Sequence, residues 1–68
     1  MDICEKFGAN VRRVRRSKEI SQEELAHQAN VHRTYVVSME QRGGRNPTLR
    51  VMEAIAQALG VPLSTLLE

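Results

Sequence analysis

The sequence predicts an all-α fold of five short helices, forming a single domain over residues 1–68. Apolar residues recur at spacings of three and four along most of the chain, which is the period of a helix buried on one face. Residues that favour helix N-caps, Ser21 and Thr48, precede two of these runs, and Asn30 and Gly60 interrupt them. A chain of this length buries a small core, worth about 3–5 kcal/mol net, so association with a second copy would help to stabilise it.

The first helix is predicted over residues 2 to about 18. Its apolar stripe, at helical spacing, is formed by Ile3, Phe7, Val11 and Val14. Gly8 weakens this helix, and it fits either a close approach by another helix or a tolerated surface glycine. Near the end of the same helix lies a cluster of basic residues: Arg12, Arg13, Arg15, Arg16 and Lys18.

Residues 22–41 are predicted to form two short helices joined by a tight turn. Ser21, with Glu24 three residues later, matches the capping box that starts a helix. Asn30 ends this helix, because asparagine tolerates the left-handed conformation that a sharp turn needs. The next helix is predicted over residues 32–41.

In this helix, Val36 and Met39 point back onto the preceding one. The side chains left facing outward belong to Arg33, Thr34, Val37, Ser38 and Gln41. This outward face contains no acid, and it starts at a helix N-terminus.

A loop is predicted over residues 42–47, followed by two further helices. Thr48 should cap the fourth helix, which runs to Leu59 and ends at Gly60. Its predicted core stripe is Leu49, Met52, Ile55, Ala56 and Leu59. A short fifth helix follows Pro62 and carries more apolar residues than one small core needs.

The segment over residues 22–41 resembles the helix-turn-helix of the phage Cro and repressor family, also called the Xre family. The residues that carry the resemblance are Ser21, Gln22, Leu25, Ala26, Ala29, Val31, Val36 and Met39. The chain departs from the family at Asn30, where glycine is most frequent. Two short runs, Arg33-Thr34-Tyr35 and Arg45-Asn46, look especially like the controller proteins of restriction-modification systems. The resemblance extends over roughly residues 5 to 67 and implies a repressor-like DNA-binding domain.

The resemblance also implies a partly buried ion pair between Arg15 and Glu40, which would tie the first helix to the third. The alternative is that these are two unrelated surface charges. Base reading by the third helix falls on Arg33, Thr34 and Ser38, carried over position by position. Val37 is a further candidate, for contact with a thymine methyl group. Arginine can hold the O6 and N7 atoms of guanine with two hydrogen bonds. A surface valine without a role is the alternative for Val37.

Contacts to DNA phosphates fall on Gln22, His32, Tyr35, Arg45 and Asn46. Gln22 starts the second helix, and its side chain would brace a phosphate and Arg33 together. The alternative for the loop that carries Arg45 is a plain connector. Arg12, Arg13 and Arg16 of the first helix are further phosphate candidates, and the alternative is that they raise the local potential without touching DNA.

The last helix of the resembled family commonly forms a twofold dimer contact, which here falls on Leu63, Leu66 and Leu67, with pure core packing as the alternative. A homodimer would present two recognition helices about 34 Å apart, one DNA turn, to a palindromic operator. The expected function is therefore a transcriptional regulator of double-stranded DNA. A regulator that blocks a promoter would repress transcription. One that binds beside a promoter and activates transcription would have RNA polymerase as a further partner. A trimmed domain without its dimerising part is also consistent with the sequence.

Other classes of function find little support in the sequence. The single cysteine, Cys4, excludes an intrachain disulfide, and neither His27 nor His32 has further ligands arranged for a metal. Nucleophile and nucleotide-binding motifs are absent, so we expect neither an enzyme nor a cofactor. A membrane span needs about 20 consecutive apolar residues, and no apolar run in the sequence approaches this length. A cytoplasmic location is expected. Net charge is a mild +2.

Two alternative functions use the same fold. One is a DNA-binding antitoxin, whose partner would be a toxin protein. The other is an interaction module that binds protein through the same helices. The basic loop and the acid-free outward face favour DNA over the interaction module.

Overall fold

The computed structural model describes residues 2–41, 44 and 46–68. Among these residues there are five α-helices and no strand, which confirms the predicted all-α fold. The helices are α1 (Ile3–Ser17), α2 (Gln22–Ala29), α3 (Arg33–Glu40), α4 (Leu49–Leu59) and α5 (Leu63–Leu66). The second and third helices are the predicted helix-turn-helix.

Side-chain caps fix where three of the helices begin. The Ser21 hydroxyl accepts from the Glu24 amide at 2.9 Å, and the Thr48 hydroxyl accepts from the Val51 amide at 3.1 Å, as the sequence predicted. Asp2, predicted as the first helical residue, is instead the N-cap of α1, and its carboxylate accepts from the Cys4 amide at 2.7 Å.

Three helices end in the same left-handed turn. Asn30 (φ 60°) and Gly60 (φ 71°) end α2 and α4, as predicted, and Glu19 (φ 58°) takes this conformation after α1. Each turn closes with the crossed backbone hydrogen bonds of a Schellman motif, such as Val31 N–H to Ala26 O at 2.9 Å. The residue that follows each turn is apolar and partly buried against the core: Ile20, Val31 and Val61. This apolar residue holds the turn in place from the core side.

The core takes one face from each helix. Its buried apolar members are Phe7, Val11, Val14, Leu25, Ala26, Ala29, Val36, Met39, Ile55, Ala56, Leu59 and Leu66. The prediction that Ile3 and Leu49 belong to the core is wrong, because their side chains are 57% and 66% exposed. Each is the first residue of its helix. Periodicity identifies the buried face of a helix but not how far along the helix its neighbours reach.

Backbone contact between α1 and α3 is close at Gly8. A Cβ atom at this position would collide with the carbonyl oxygen of Met39 and lie 3.5 Å from Cα of Glu40. The close approach that the sequence left as one of two explanations is therefore present.

Polar contacts join α1 to the last helix as well. The side-chain amide of Asn10 donates to the carbonyl oxygen of Leu66 at 2.9 Å and to that of Glu68 at 3.0 Å. Helix α1 thus contacts α3 on one side and holds the carbonyls at the end of α5 on the other.

Candidate nucleic-acid interface

The third helix is anchored by a buried ion pair at its C-terminal end. Nε of Arg15 lies 2.8 Å from Oε2 of Glu40, and Nη2 lies 3.0 Å from Oε1, so the predicted pair is present and bidentate. The side chains are only 11% and 3% exposed. Nη1 of Arg15 donates to the carbonyl oxygen of Ile20 at 2.7 Å, so each guanidinium nitrogen has a partner. Such a pair fixes geometry because either charge left alone would be costly.

Gln22 completes this network. Its side-chain nitrogen donates to Oε1 of Glu40 at 3.1 Å. The sequence predicted that this side chain would brace a DNA phosphate and Arg33 together. In the chain without DNA, the described bond of this side chain is to Glu40. The buried carboxylate of Glu40 offers a charged acceptor close to the start of α2, whereas Arg33 is exposed. The network therefore ties α1, α2 and α3 together through one carboxylate.

The opposite end of α3 is exposed. Arg33 and Thr34 are its first two residues, and both lie in solvent. Within the described part of the chain, no side chain or backbone group bonds to the guanidinium of Arg33. His32 occupies the N-cap position and makes no side-chain cap hydrogen bond, so the first amides of α3 lack a side-chain acceptor. This end of the helix can therefore receive an external acceptor.

The other predicted base-reading residues lie one turn further along. Val37 and Ser38 are half-buried, while Val36 and Met39 face the core. The acid of α3, Glu40, is buried and paired. The outward face of α3 consequently presents no negative charge to an approaching polyanion.

The predicted phosphate contacts lie around this helix in different settings. Exposed His32 and half-buried Tyr35 line a surface depression at the turn, together with Arg33 and Thr34. Asn46 is exposed beyond the C-terminal end of α3. It lines a different surface depression, which includes neither Arg33 nor Thr34.

Gly44 lies close to the C-terminal end of α3. The amide of Gly44 donates to the Gln41 carbonyl at 3.0 Å, and a Cβ at Gly44 would collide with the carbonyl oxygen of Ser38. The predicted phosphate contact Arg45 lies outside the described residues, as do Arg42 and Gly43.

The structure separates the three leucines predicted for a dimer contact. Leu66 is fully buried within the chain, so it belongs to the core and cannot contribute to a surface. Leu63 and Leu67 are partly buried against the core and keep some exposed surface. For Leu66 the alternative of core packing therefore holds, because the short α5 turns this side chain towards the core.

A search of the described residues finds no group of three or more histidine, cysteine and acidic side chains placed to hold a metal ion. None of the helices in that part of the chain has the length and hydropathy needed to cross a membrane.

Sequence comparison gives matches over most of the chain. The model of the helix-turn-helix family matches residues 11–66. The control protein C.BamHI of Bacillus amyloliquefaciens is 48% identical over 63 residues, covering 91% of this chain and 76% of that protein. The control protein C.SmaI of Serratia marcescens is 43% identical over 67 residues, covering 98% and 79%.

Solved structures give the same result. The restriction-modification controller protein C.AhdI of Aeromonas hydrophila superposes with a TM-score of 0.87 at 38% identity, over 93% of this chain and 94% of that one. SinR, the master regulator for biofilm formation, solved in complex with DNA, superposes with a TM-score of 0.84 at 32% identity, over 91% and 98%. The chain therefore belongs to the helix-turn-helix family of DNA-binding transcriptional regulators, and restriction-modification controller proteins are among its relatives.

Proposed function

We propose that this chain binds a palindromic operator as a homodimer, with α3 of each protomer in the major groove, and so regulates transcription. The observation that carries the proposal is the contrast along α3: Arg33 and Thr34 are exposed at its N-terminal end, while its acid is buried and neutralised by Arg15. Helix-turn-helix proteins read base edges with residues at the N-terminal end of this helix.

Arg33 is the principal base reader in this proposal. Its guanidinium is exposed, and no described group holds it, so a bidentate contact with guanine requires no internal bond to break. Such a contact is worth about 1–3 kcal/mol of discrimination between bases. Thr34 offers a hydroxyl to a base or a methyl group to thymine. Ser38 and Val37 are half-buried and reach a base from the following turn.

Phosphates flank this contact in the proposed complex. His32 lies at the uncapped start of α3, and Tyr35 shares its depression. Gln22, the first residue of α2, donates one side-chain hydrogen to Glu40 and keeps a second for a phosphate. Asn46, with Arg45, extends the contact beyond the other end of α3. These contacts fix the orientation of the protein and carry no sequence information.

The dimer contact in this proposal uses Leu63 and Leu67, since Leu66 is buried. Twofold symmetry would place the recognition helices about 34 Å apart, which matches successive major grooves on one face of DNA. We assign the protein to the cytoplasm, where it would reach the chromosome, and we assign it no enzymatic step. RNA polymerase is a further partner where the operator adjoins a promoter.

Selection from a random duplex pool tests this function. Wild type, Arg33→Ala and the control Arg50→Ala, an exposed arginine on α4, would each be incubated with the pool, and the retained sequences compared. We expect wild type and control to recover the same twofold site, and Arg33→Ala to lose the preference at one position in each half-site.

Two results would contradict the proposal. Failure of the wild type to retain any duplex at low salt would exclude the DNA function and direct attention to a protein partner. Recovery of a single half-site by a protein that sediments as a monomer would exclude the dimer while leaving base reading in place.

A further inference from the structure

A basic groove lies between α1 and α3, beside the recognition helix. We call it the α1 groove, and it is lined by Arg12, Arg15, Arg16, Gln22, Val37, Glu40 and Gln41. An adjoining depression, lined in part by Arg12, Arg13 and Arg16, continues it along α1. The side chains of Arg12, Arg13 and Arg16 are exposed.

The positive charge of this groove is not neutralised by its own acid. Glu40 is the acid among the lining residues, and its charge is already matched by Arg15 at 2.8 Å. Arg12 and Arg16 make no hydrogen bond or ion pair with any described residue. Nη2 of Arg13 donates to the uncharged Oδ1 of Asn10 at 3.3 Å. Two guanidinium groups thus remain open at the rim of the α1 groove.

The spacing of these two arginines suits a phosphate backbone. Arg12 and Arg16 are four residues apart on α1, so their Cβ atoms lie about 5–6 Å apart on one face. Guanidinium groups bind phosphate oxygens with two parallel hydrogen bonds, and they are less strongly hydrated than ammonium groups. One phosphodiester, or two in succession, would satisfy both side chains.

The groove is also held in a fixed position relative to α3. The bonds from Arg15 and Gln22 to Glu40 join the helices that form its walls, and Gly8 lets the backbones of α1 and α3 touch. Val37 lines the groove and also belongs to the outward side of α3. The groove is therefore continuous with the proposed DNA-reading face.

We propose that the α1 groove binds the phosphodiester backbone of the same duplex that α3 reads, with Arg12 and Arg16 as the donors. The inference rests on the DNA-binding function proposed above and adds a second contact region to it. The sequence left open whether these arginines contact phosphates or only raise the local potential. A direct contact differs from that effect because it displaces condensed counterions from particular phosphates.

Salt dependence of DNA binding distinguishes the two. The dissociation constant of the full chain for its selected duplex would be measured from low to high salt for wild type, Arg12→Gln, Arg16→Gln and the control Arg50→Gln. Each variant removes one positive charge from an exposed helical site. For each protomer, a lost phosphate contact should lower the magnitude of the logarithmic salt slope by about 0.9 and weaken binding by roughly five- to tenfold near 0.1 M salt.

Ethylation interference locates the contact on the DNA. In the wild type, ethylating particular phosphates should weaken binding, and one or two of these positions per half-site should lose their effect in Arg12→Gln or Arg16→Gln. The base preference of both variants should stay that of the wild type, because the contact is to the backbone. Equal melting temperatures of all four proteins would show that the variants are folded.

The results separate this inference from the function beneath it. Salt slopes and ethylation patterns identical to wild type in both groove variants, alongside normal site selection, would overturn the α1 groove contact and leave base reading by α3 intact. A change of equal size in Arg50→Gln would also overturn it, since the effect would then come from net charge. Absence of wild-type binding would refute the proposed function itself.

Discussion

The two ends of α3 differ in almost every physical respect. Glu40, at the C-terminal end, is buried and bonded to Arg15 and Gln22. Arg33, at the N-terminal end, is exposed and held by no described group. The helix is eight residues long, so two turns separate a fixed anchor from a free contact surface. In the proposed function, positioning of α3 and recognition of bases therefore fall to different residues, and each should be alterable without the other.

The largest expected effect comes from breaking the anchor. Glu40→Ala leaves the guanidinium of Arg15 buried without its counter-charge, which should cost about 3–5 kcal/mol of unfolding free energy. A chain with so small a core has about that much stability in total, so we expect most of the variant to be unfolded at 25 °C. Circular dichroism during urea unfolding measures this.

A double variant provides the matched control for the anchor. Arg15→Met combined with Glu40→Leu removes both charges and retains apolar volume, so it should recover most of the lost stability. Unfolding of the double variant as complete as that of Glu40→Ala would show that the charges themselves are not the cause.

The close approach of α1 to the anchored end gives a second test. Gly8→Ala places a methyl group against the carbonyl oxygen of Met39, and the two backbones must separate to admit it. Overpacking of this kind costs about 1–3 kcal/mol. The helix propensity of alanine works in the opposite direction by roughly 1 kcal/mol, so a raised melting temperature would show that α1 and α3 can move apart freely.

At the exposed N-terminal end of α3, a substitution should affect DNA binding and leave stability nearly unchanged. Arg33→Ala should change the free energy of unfolding by no more than about 0.5 kcal/mol, because the side chain is exposed and makes no described contact. The same change should remove about 1–3 kcal/mol of discrimination between operator bases. Thermal unfolding and competition binding on one protein sample measure both. A loss of stability comparable to that of Glu40→Ala would mean that the two ends are not independent.

The smallest expected effect concerns the turn that supports the anchor. Glu19 has φ 58°, and the next residue, Ile20, offers its carbonyl oxygen to Arg15 at 2.7 Å. Glu19→Gly should stabilise the chain by roughly 1 kcal/mol because glycine adopts this conformation without steric cost. Glu19→Ala retains the steric cost, so it should not reproduce the gain in a urea titration. An equal gain in both variants would point to the charge of Glu19 and not to its backbone.

The sequence predicted the helices and the turn at Asn30 because caps, apolar period and left-handed asparagine are all local signals. It could not predict that Glu19 is left-handed, since glutamate is not a residue that usually marks such a turn. The conformation is imposed by Ile20, which packs on the core from the next position. Local preference is here overridden by packing that only the folded chain supplies.

The contacts of the site residues likewise divide into those that the sequence predicted and those that only the folded chain shows. The Arg15–Glu40 pair followed from resemblance to the phage repressor family, and no periodicity in the chain indicates it. The bond from Gln22 to Glu40 was missed because it depends on where three helices meet. The exposure of Ile3 and Leu49 was missed because the lengths of neighbouring helices decide which apolar residues are covered.

The amide of Asn10 links the anchor of α3 to the far end of the chain. It holds the carbonyls at the end of α5, while Arg15, on the same helix, holds α3. In a dimer joined through α5, α1 would act as a rigid connection between the dimer contact and α3. The distance between the two recognition helices would then be set by the geometry of the dimer contact. Loss of the bonds from Asn10 would leave each half-site readable, but the protein would then tolerate a wider range of spacings between half-sites.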